Sequence, residues 1–238
     1  LASRGIMVLR YEKRTKEHIE KCAAMAHRFT MFHETEEDAL SAIDVLEKHP
    51  KANRKKIYLL GHSQGGMLVP RMAKLDKAKK ITGFIIMAGN ARHFLDLLPK
   101  QYKYIFTLDN SITPDERKML DAVVKQVKLA KSPTLTYDTP PKDLPFGIPA
   151  SYWLDLQNYI PAESAKHMTR PLLILHGQRD YQITMEDFEI WKTSLGTHPN
   201  VTFKLFPALN HLMIPGKGKS TPNEYQQQPG FVSPKVIE

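Results

Sequence analysis

Residues 57–73 read IYLLGHSQGGMLVPRMA. An apolar run of strand character gives way to a glycine, a serine and two more glycines, and then to a run with helical spacing. Two readings of Ser63 are open. The glycines can serve only a tight strand-to-helix turn, or the turn can exist to hold Ser63 out as a nucleophile. The stretch fits G-x-S-x-G, with Gly61 and Gly65 flanking the serine and Gly66 following. Such a turn strains the backbone and leaves no room for bulky neighbours, which accounts for the glycines at 61 and 65. Five-residue patterns recur by chance, but a preceding strand and a following helix are the context that gives this one weight. The backbone N–H of Gln64, opening that helix, is placed to stabilise an oxyanion.

A serine hydroxyl is a poor nucleophile until a base takes its proton, and the base needs a carboxylate to orient it. After a nucleophile of this kind the acid and then the histidine follow in chain order. PLLILHGQRD puts Asp180 just past an apolar strand, and FPALNHLMI puts His211 in the loop after the last one, VTFKLF. Loops at the carboxyl ends of parallel strands converge on one edge, so Ser63, Asp180 and His211 can meet there. Glu186 and Asp187 are alternative acids, but they fall in the following helix. Of the ten histidines, His27, His33, His49, His167 and His198 lie in polar surroundings and read as surface. His62 and His176 flank the nucleophile and acid strands. His62 reads as packing beside the turn, and His62, His93 and Tyr181 are the candidates for lining a substrate pocket. No histidine, cysteine and carboxylate set has metal-ligand spacing, and no phosphate-cradling glycine pattern occurs. Neither a metal nor a cofactor is expected.

Strand and helix patterns alternate outward from this stretch. Ile6–Leu9 reads as a buried strand, and Thr15 to Met31 as mixed with helical character. Glu34–His49 is an amphipathic helix with Ala39, Leu40, Ile43 and Leu46 on one face and acids in its first turn. Strands follow at Ile57–Leu60, Ile81–Met87, 172–180 and 201–206, with helices at Gly65–Leu75 and Met185–Leu195. Continuous apolar strands suit a parallel sheet buried on both faces. From Arg92 to Arg170 the pattern changes to aromatics, clustered prolines and helices such as TPDERKMLDAVVKQVKLAK and SYWLDLQNY. The order argues for an α/β fold, a mostly parallel sheet flanked by helices, with residues 1–91 and 171–238 as core and a helical insertion at 92–170.

Composition narrows the function classes. The 238 residues with 42% hydrophobic content suit one sizeable globular domain. No apolar run reaches the roughly 18 residues of a membrane span. The single cysteine, Cys22, excludes an internal disulfide and chooses no compartment. The net charge of +9 raises nucleic-acid binding. Yet the densest groups, Arg54-Lys55-Lys56 and Lys77, Lys79 and Lys80, lack the interleaved aromatics of such a site, so no nucleic-acid partner is expected.

The stretches ASRGIMVLRYEKRT, DVLEKHPKANRKKIYLLGHSQGG, PLLILHGQRDYQIT and LNHLM resemble the α/β-hydrolase superfamily, and within it bacterial serine esterases related to the S33-peptidase and dienelactone-hydrolase groups. The resemblance implies Ser63 as nucleophile, Asp180 as acid and His211 as base, with the insertion at the lid position. It also implies three earlier strands and a loop supplying a second oxyanion donor. This chain begins after that loop, so amino-terminal strands are expected to be missing. The opening at Leu1 and the helix-like start in SPKVIE, with Ser233 as cap, fit a partial sequence.

The leading expectation is a serine carboxylesterase acting on short-to-medium acyl esters through an acyl-enzyme. Phe94, Tyr102, Tyr104, Phe106, Tyr152 and Trp153 are candidates for an apolar acyl pocket or for packing of the cap. A peptidase or amidase with the same residues would use acids such as Asp96, Asp155 or Glu163. A non-catalytic binding protein of the same fold is the third reading. Acyl preference, oligomeric state and compartment, cytoplasmic or secreted, stay open.

Overall fold

In the computed structural model, residues 1–226 and 230–238 are described. In chain order come α1 (Arg14–Glu17), α2 (Ile19–Met25), a π-helical turn (Phe32–Glu36), α3 (Glu37–Lys48), β1 (Tyr58–His62), α4 (Gln64–Leu75) and β2 (Gly83–Met87). Then follow α5 (Leu98–Phe106), α6 (Pro114–Ala130), α7 (Ala150–Leu156), α8 (Pro161–Ala165), β3 (Leu172–Gly177), α9 (Met185–Leu195) and β4 (Val201–Phe206). Two compact units result. One gathers residues 1–12, 35–92 and 160–238, the other residues 13–34 and 93–159.

The first unit holds a parallel sheet in the order β1-β2-β3-β4. The register pairs His62 with Met87 and Gly177 with Phe206, so the carboxyl ends of the strands lie along one edge. The central strands β2 and β3 are largely buried, as their apolar runs require. The outer strands differ from the expectation of burial on both faces: Tyr58 and Leu60 of β1 are 55% and 46% exposed, and β4 alternates. Each of these strands has a neighbour on one side only among the described residues. Ile6–Leu9, expected as a strand, is not one. Its four apolar side chains are exposed and, among the described residues, no strand pairs with it. An apolar run becomes a strand only where a ladder satisfies its backbone groups.

Helix α4 buries Met67, Leu68, Val69 and Met72 against the sheet, and Trp191 of α9 is fully buried with its Nε1–H donating to the Gly89 carbonyl at 2.9 Å. Two buried carboxylates fasten the helices. Glu36, wholly buried, accepts from Arg71 Nη2 at 2.9 Å and lies 2.8 Å from its Nε, an ion pair that joins the start of α3 to α4. Asp76, capping the end of α4, accepts the N–H groups of Lys80 and Ile81 at 3.0 Å each and pairs closely with Arg170. Arg170 also donates to the carbonyls of Ile81 at 2.7 Å and Ala73 at 2.9 Å, and its guanidinium lies 4.7 Å from the centre of the Phe84 ring. One ion pair thereby locks the exit of α4, the entry of β2 and the entry of β3.

The second unit is helical. Thr113 and Glu116 form a reciprocal capping box around Pro114 at the start of α6, which buries Leu120, Val123, Val127 and Ala130 at helical spacing. Trp153 is fully buried among Phe94 and Tyr152, with ring centroids 6.4 and 5.3 Å away. Ser151 donates to the Phe29 carbonyl at 2.8 Å and Tyr152 stacks on Phe29 at 6.2 Å, contacts that bind residues 13–34 to α7. Near the carboxyl end, the helix-like SPKVIE is a short 3-10 turn over Pro234–Val236, without a side-chain cap from Ser233. Among the described residues no helix is long and apolar enough to cross a membrane.

Two titrations test this packing. Burial opposes ionisation of Asp76, but the Ile81 N–H, Arg170 and the Lys80 N–H outweigh it and hold the carboxyl below its usual range. A depressed carboxylate contributes stability above its unfolded pKa of about 3.9 and loses it as pH falls further. Asp76→Asn is expected to lower Tm at pH 7 and to flatten the loss below about pH 4. His176 in β3, 1% exposed, has its pKa pushed down to about 4 by burial. A neutral buried histidine withdraws stability as pH falls from its unfolded pKa of about 6.5, by roughly 3 kcal/mol over the 2.5-unit gap. Urea unfolding of His176→Leu across that window should show a shallower decline than the parent. An identical slope would mean that His176 does not stay neutral in the fold.

Candidate active site

The candidate site is built from the loops that leave the carboxyl ends of β1, β3 and β4. After His62 the chain turns through Ser63 at φ 53°, ψ −118°, and α4 begins at once with Gln64. A side chain rarely adopts such angles, and the surroundings hold it there. The Ser63 N–H donates to the Met87 carbonyl at 2.9 Å, and the Ser63 carbonyl accepts from Met67 N–H at 2.9 Å. The glycines are needed for backbone contact, with one correction to the sequence reading. A Cβ at Gly61 would lie 2.7 Å from the Gly66 nitrogen, and one at Gly66 would lie 3.1 Å from the Gly89 Cα. Gly65 faces open space, with nothing within 4 Å of such a Cβ. The tight positions are therefore 61 and 66 rather than 61 and 65: the Gly65 carbonyl also packs on Gly61, but a side chain at 65 would point away from that contact. Gln64 is the first residue of α4, where N–H groups point out along the axis at the positive end of the helix dipole.

At the end of β3, a Cβ on Gly177 would meet the carbonyl oxygens of Leu209 at 2.5 Å and Asn210 at 2.7 Å, so the loop after β4 lies directly across the strand end. Gln178 N–H donates to Phe206 and Arg179 N–H to Leu209, each at 3.0 Å. These bonds bring Asp180 and His211 together. Asp180 Oδ1 accepts the N–H groups of Gln182 at 2.8 Å and Ile183 at 3.0 Å, and Oδ2 stands 2.7 Å from His211 Nδ1. Both residues are buried, 2% and 4% exposed. A carboxylate only accepts, so Nδ1 carries the proton and Nε2 offers a lone pair.

His62, immediately before Ser63, donates its Nε2–H to the His211 carbonyl at 2.8 Å, and the two rings are 4.8 Å apart. Burial, and then the proximity of His211, hold the His62 pKa down. The turn that carries Ser63 is thus tied through its neighbour to the backbone of residue 211.

The other sequence candidates make the following contacts. Asp187 and Glu186 are taken up by Arg92, whose Nη2 is 2.8 Å from Asp187 and whose Nη1 is 2.5 Å from Glu186. Asp187 also accepts the Ala91 N–H at 3.0 Å, and burial pushes its pKa up against the pull of Arg92. His93 belongs to the second unit, where its Nε2–H donates to Leu156 at 2.9 Å and its Nδ1 accepts from Leu95 at 3.1 Å. Burial, and then Lys131, lower its pKa. Tyr181 is 7% exposed and stacks on Tyr225 at 5.8 Å.

Asn210 escaped the sequence reading. Its Oδ1 accepts the N–H groups of Leu212 and Ile214 at 3.0 Å each, folding the turn that presents His211, with Met213 at φ 58°. An asparagine directly before the histidine in a polar loop is the signal that could have found it.

The chain is similar to several known proteins. Residues 40–186 match the family model described as BAAT / Acyl-CoA thioester hydrolase C terminal. The chain is 38% identical to Esterase EstD of Thermotoga maritima over all 238 residues and 53% of that protein's length. It is 23% identical to the Uncharacterized peptidase YtmA of Bacillus subtilis, over 64% of this chain and 46% of that one. The chain therefore spans about half the length of the curated relatives it matches. Among solved structures, Est1E from Butyrivibrio proteoclasticus superposes with a TM-score of 0.47 and 19% identity, covering 78% of this chain and 63% of that one. With the family model matching more than half of the chain, the chain belongs to the BAAT/acyl-CoA thioester hydrolase C-terminal family.

Proposed function

We propose that Ser63, His211 and Asp180 act as nucleophile, base and acid in hydrolysing carboxylic esters of short-to-medium acyl chains. The observation that carries this reading is the buried 2.7 Å bond between Asp180 and His211 Nδ1, which leaves Nε2 as the basic nitrogen. The backbone strain at Ser63 and the bond from its neighbour His62 to residue 211 support it. On this reading the Ser63 hydroxyl attacks the acyl carbonyl as His211 Nε2 takes its proton. The Gln64 N–H stabilises the oxyanion, and the positive end of α4 assists it. Collapse expels the alcohol, which receives the proton from His211. Water, deprotonated by the same nitrogen, then cleaves the acyl-enzyme. Asp180 holds the imidazole tautomer and stabilises the imidazolium.

The name of the Thermotoga relative, an esterase, favours esters, and the family description adds thioesters, whose acyl carbonyl is attacked in the same way. The Bacillus relative is named a peptidase, which keeps amides as a second reading.

The test is turnover of p-nitrophenyl esters from acetate to decanoate, with an acyl thioester and an aminoacyl amide in parallel, by the chain and by Ser63→Ala. Esters should turn over, and Ser63→Ala should lose at least about a thousandfold in kcat. An organophosphonate should add one adduct to the chain and none to the variant. Turnover or labelling that survives Ser63→Ala would overturn the assignment. A faster amide than ester would select the peptidase reading, and a folded chain that neither turns over nor labels would select a binding protein.

A further inference from the structure

The chain neighbours of Asp180 and His211 are tied to each other through a third segment. Arg179 precedes the acid and Asn210 precedes the histidine. Glu224, in the short 3-10 turn Pro222–Tyr225, reaches both. Its Oε1 accepts from Arg179 Nη2 at 2.5 Å, and its Oε2 accepts from Asn210 Nδ2 at 3.2 Å. The Arg179 side chain is 6% exposed and Asn210 is fully buried, while Glu224 is 30% exposed.

The other side-chain contacts of Arg179, and its carbonyl, run to the same segment. Arg179 also donates from Nε to Gly218 at 2.6 Å and from Nη2 to Lys217 at 3.0 Å. Its carbonyl accepts the N–H of Ser220 at 3.0 Å and the hydroxyl of the same residue at 2.7 Å. A Cβ at Gly216 would lie 2.6 Å from its Nη2. Asn210 spends its Oδ1 on the turn around His211, so its amide group is what remains to reach Glu224. The backbone bonds from Gln178 to Phe206 and from Arg179 to Leu209 join the two loops at the strand ends. A carboxylate that accepts from both sides adds a side-chain tie at Arg179 and Asn210, directly before the acid and the histidine. A buried guanidinium is costly unless paired, so the Arg179–Glu224 contact is strong and directional.

We propose that Glu224 is a positioning residue that sets the Asp180–His211 geometry by holding Arg179 and Asn210 in register. It touches no reacting atom. The proposal rests on the reading of Asp180 and His211 as acid and base.

Two variants of the chain separate positioning from mere stability. Glu224→Asp keeps a charge beside Arg179 but is one methylene too short to reach both partners. Arg179→Met/Glu224→Leu removes the buried pair and fills its space with apolar groups, a change that is often neutral for stability. Each is measured for Tm, for kcat and KM on a p-nitrophenyl ester, and for the downfield proton resonance of His211 Nδ1–H. Both should lose about 10- to 100-fold in kcat, with KM nearly unchanged, and should weaken that resonance, even where Tm is restored in the double variant. Activity that follows Tm alone, or a resonance unchanged in either folded variant, overturns the proposal. The resonance needs no turnover. A parent that shows it without Ser63-dependent hydrolysis fails the proposed function, and the variants still decide the role of Glu224.

Discussion

The structure depends on one close approach of backbone to backbone. Gly61, Gly66 and Gly89 bring the strand β1, the helix α4 and the loop after β2 within contact distance of each other's main chain. With that approach the helix starts directly over the sheet edge, and Ser63 must turn with φ positive to make the connection. A non-glycine residue in such a region costs about 1–3 kcal/mol. The cost is offset locally by the hydrogen bonds of its N–H and carbonyl and by the burial of the apolar side chains of α4. His62, the last residue of β1, reaches across to the carbonyl of residue 211.

Three histidines near this edge, His176 and His211 buried and His62 half-buried, show how partners, rather than residue type, divide their chemistry. His176 is stacked on Phe188 at 5.4 Å, and burial keeps it neutral well below pH 7. His62 is also disfavoured as a cation by burial, and its Nε2–H is committed to a carbonyl. His211 alone of the three has a carboxylate on Nδ1. A neutral carbonyl fixes a ring's place, whereas a carboxylate on Nδ1 also fixes the tautomer. The two uncharged neighbours therefore pack beside His211 without competing for its proton.

Much of this was legible in the sequence, and the gaps have physical causes. The α/β architecture followed from the alternation of patterns, and 201–206 and Met185–Leu195 were read with the bounds that the structure shows. β1 runs two residues past the apolar stretch because Gly61 and His62 still pair with Ile86 and Met87, a property of the ladder rather than of the side chains. The helix read from Glu34 begins instead with a π-helical turn that buries Glu36 for Arg71, a partner 35 residues away. Ile6–Leu9 carried a strand composition without a strand to pair with. Asp180 and His211 could be picked out because strand ends and chain order constrain them. Glu224 could not, since its two partners are 45 and 14 residues distant and only the folded loops bring them to one carboxylate.

The division of labour follows from those distances. The sheet fixes where the three loops leave, to within the register of hydrogen bonds that are set by apolar burial. It does not fix how the loops lean against one another, because each has only a residue or two of ladder contact beyond the strand. That remaining freedom is removed by polar groups that are buried and therefore directional: Asn210 within its own turn, His62 across to residue 211, and the Arg179–Glu224 pair behind them. Apolar packing is tolerant of small slides, while a buried charged contact at 2.5 Å is not. The segment 216–225, which carries no motif, is thus where the geometry of the Asp180–His211 pair is held, and the sequence around Ser63 specifies only where that pair is needed.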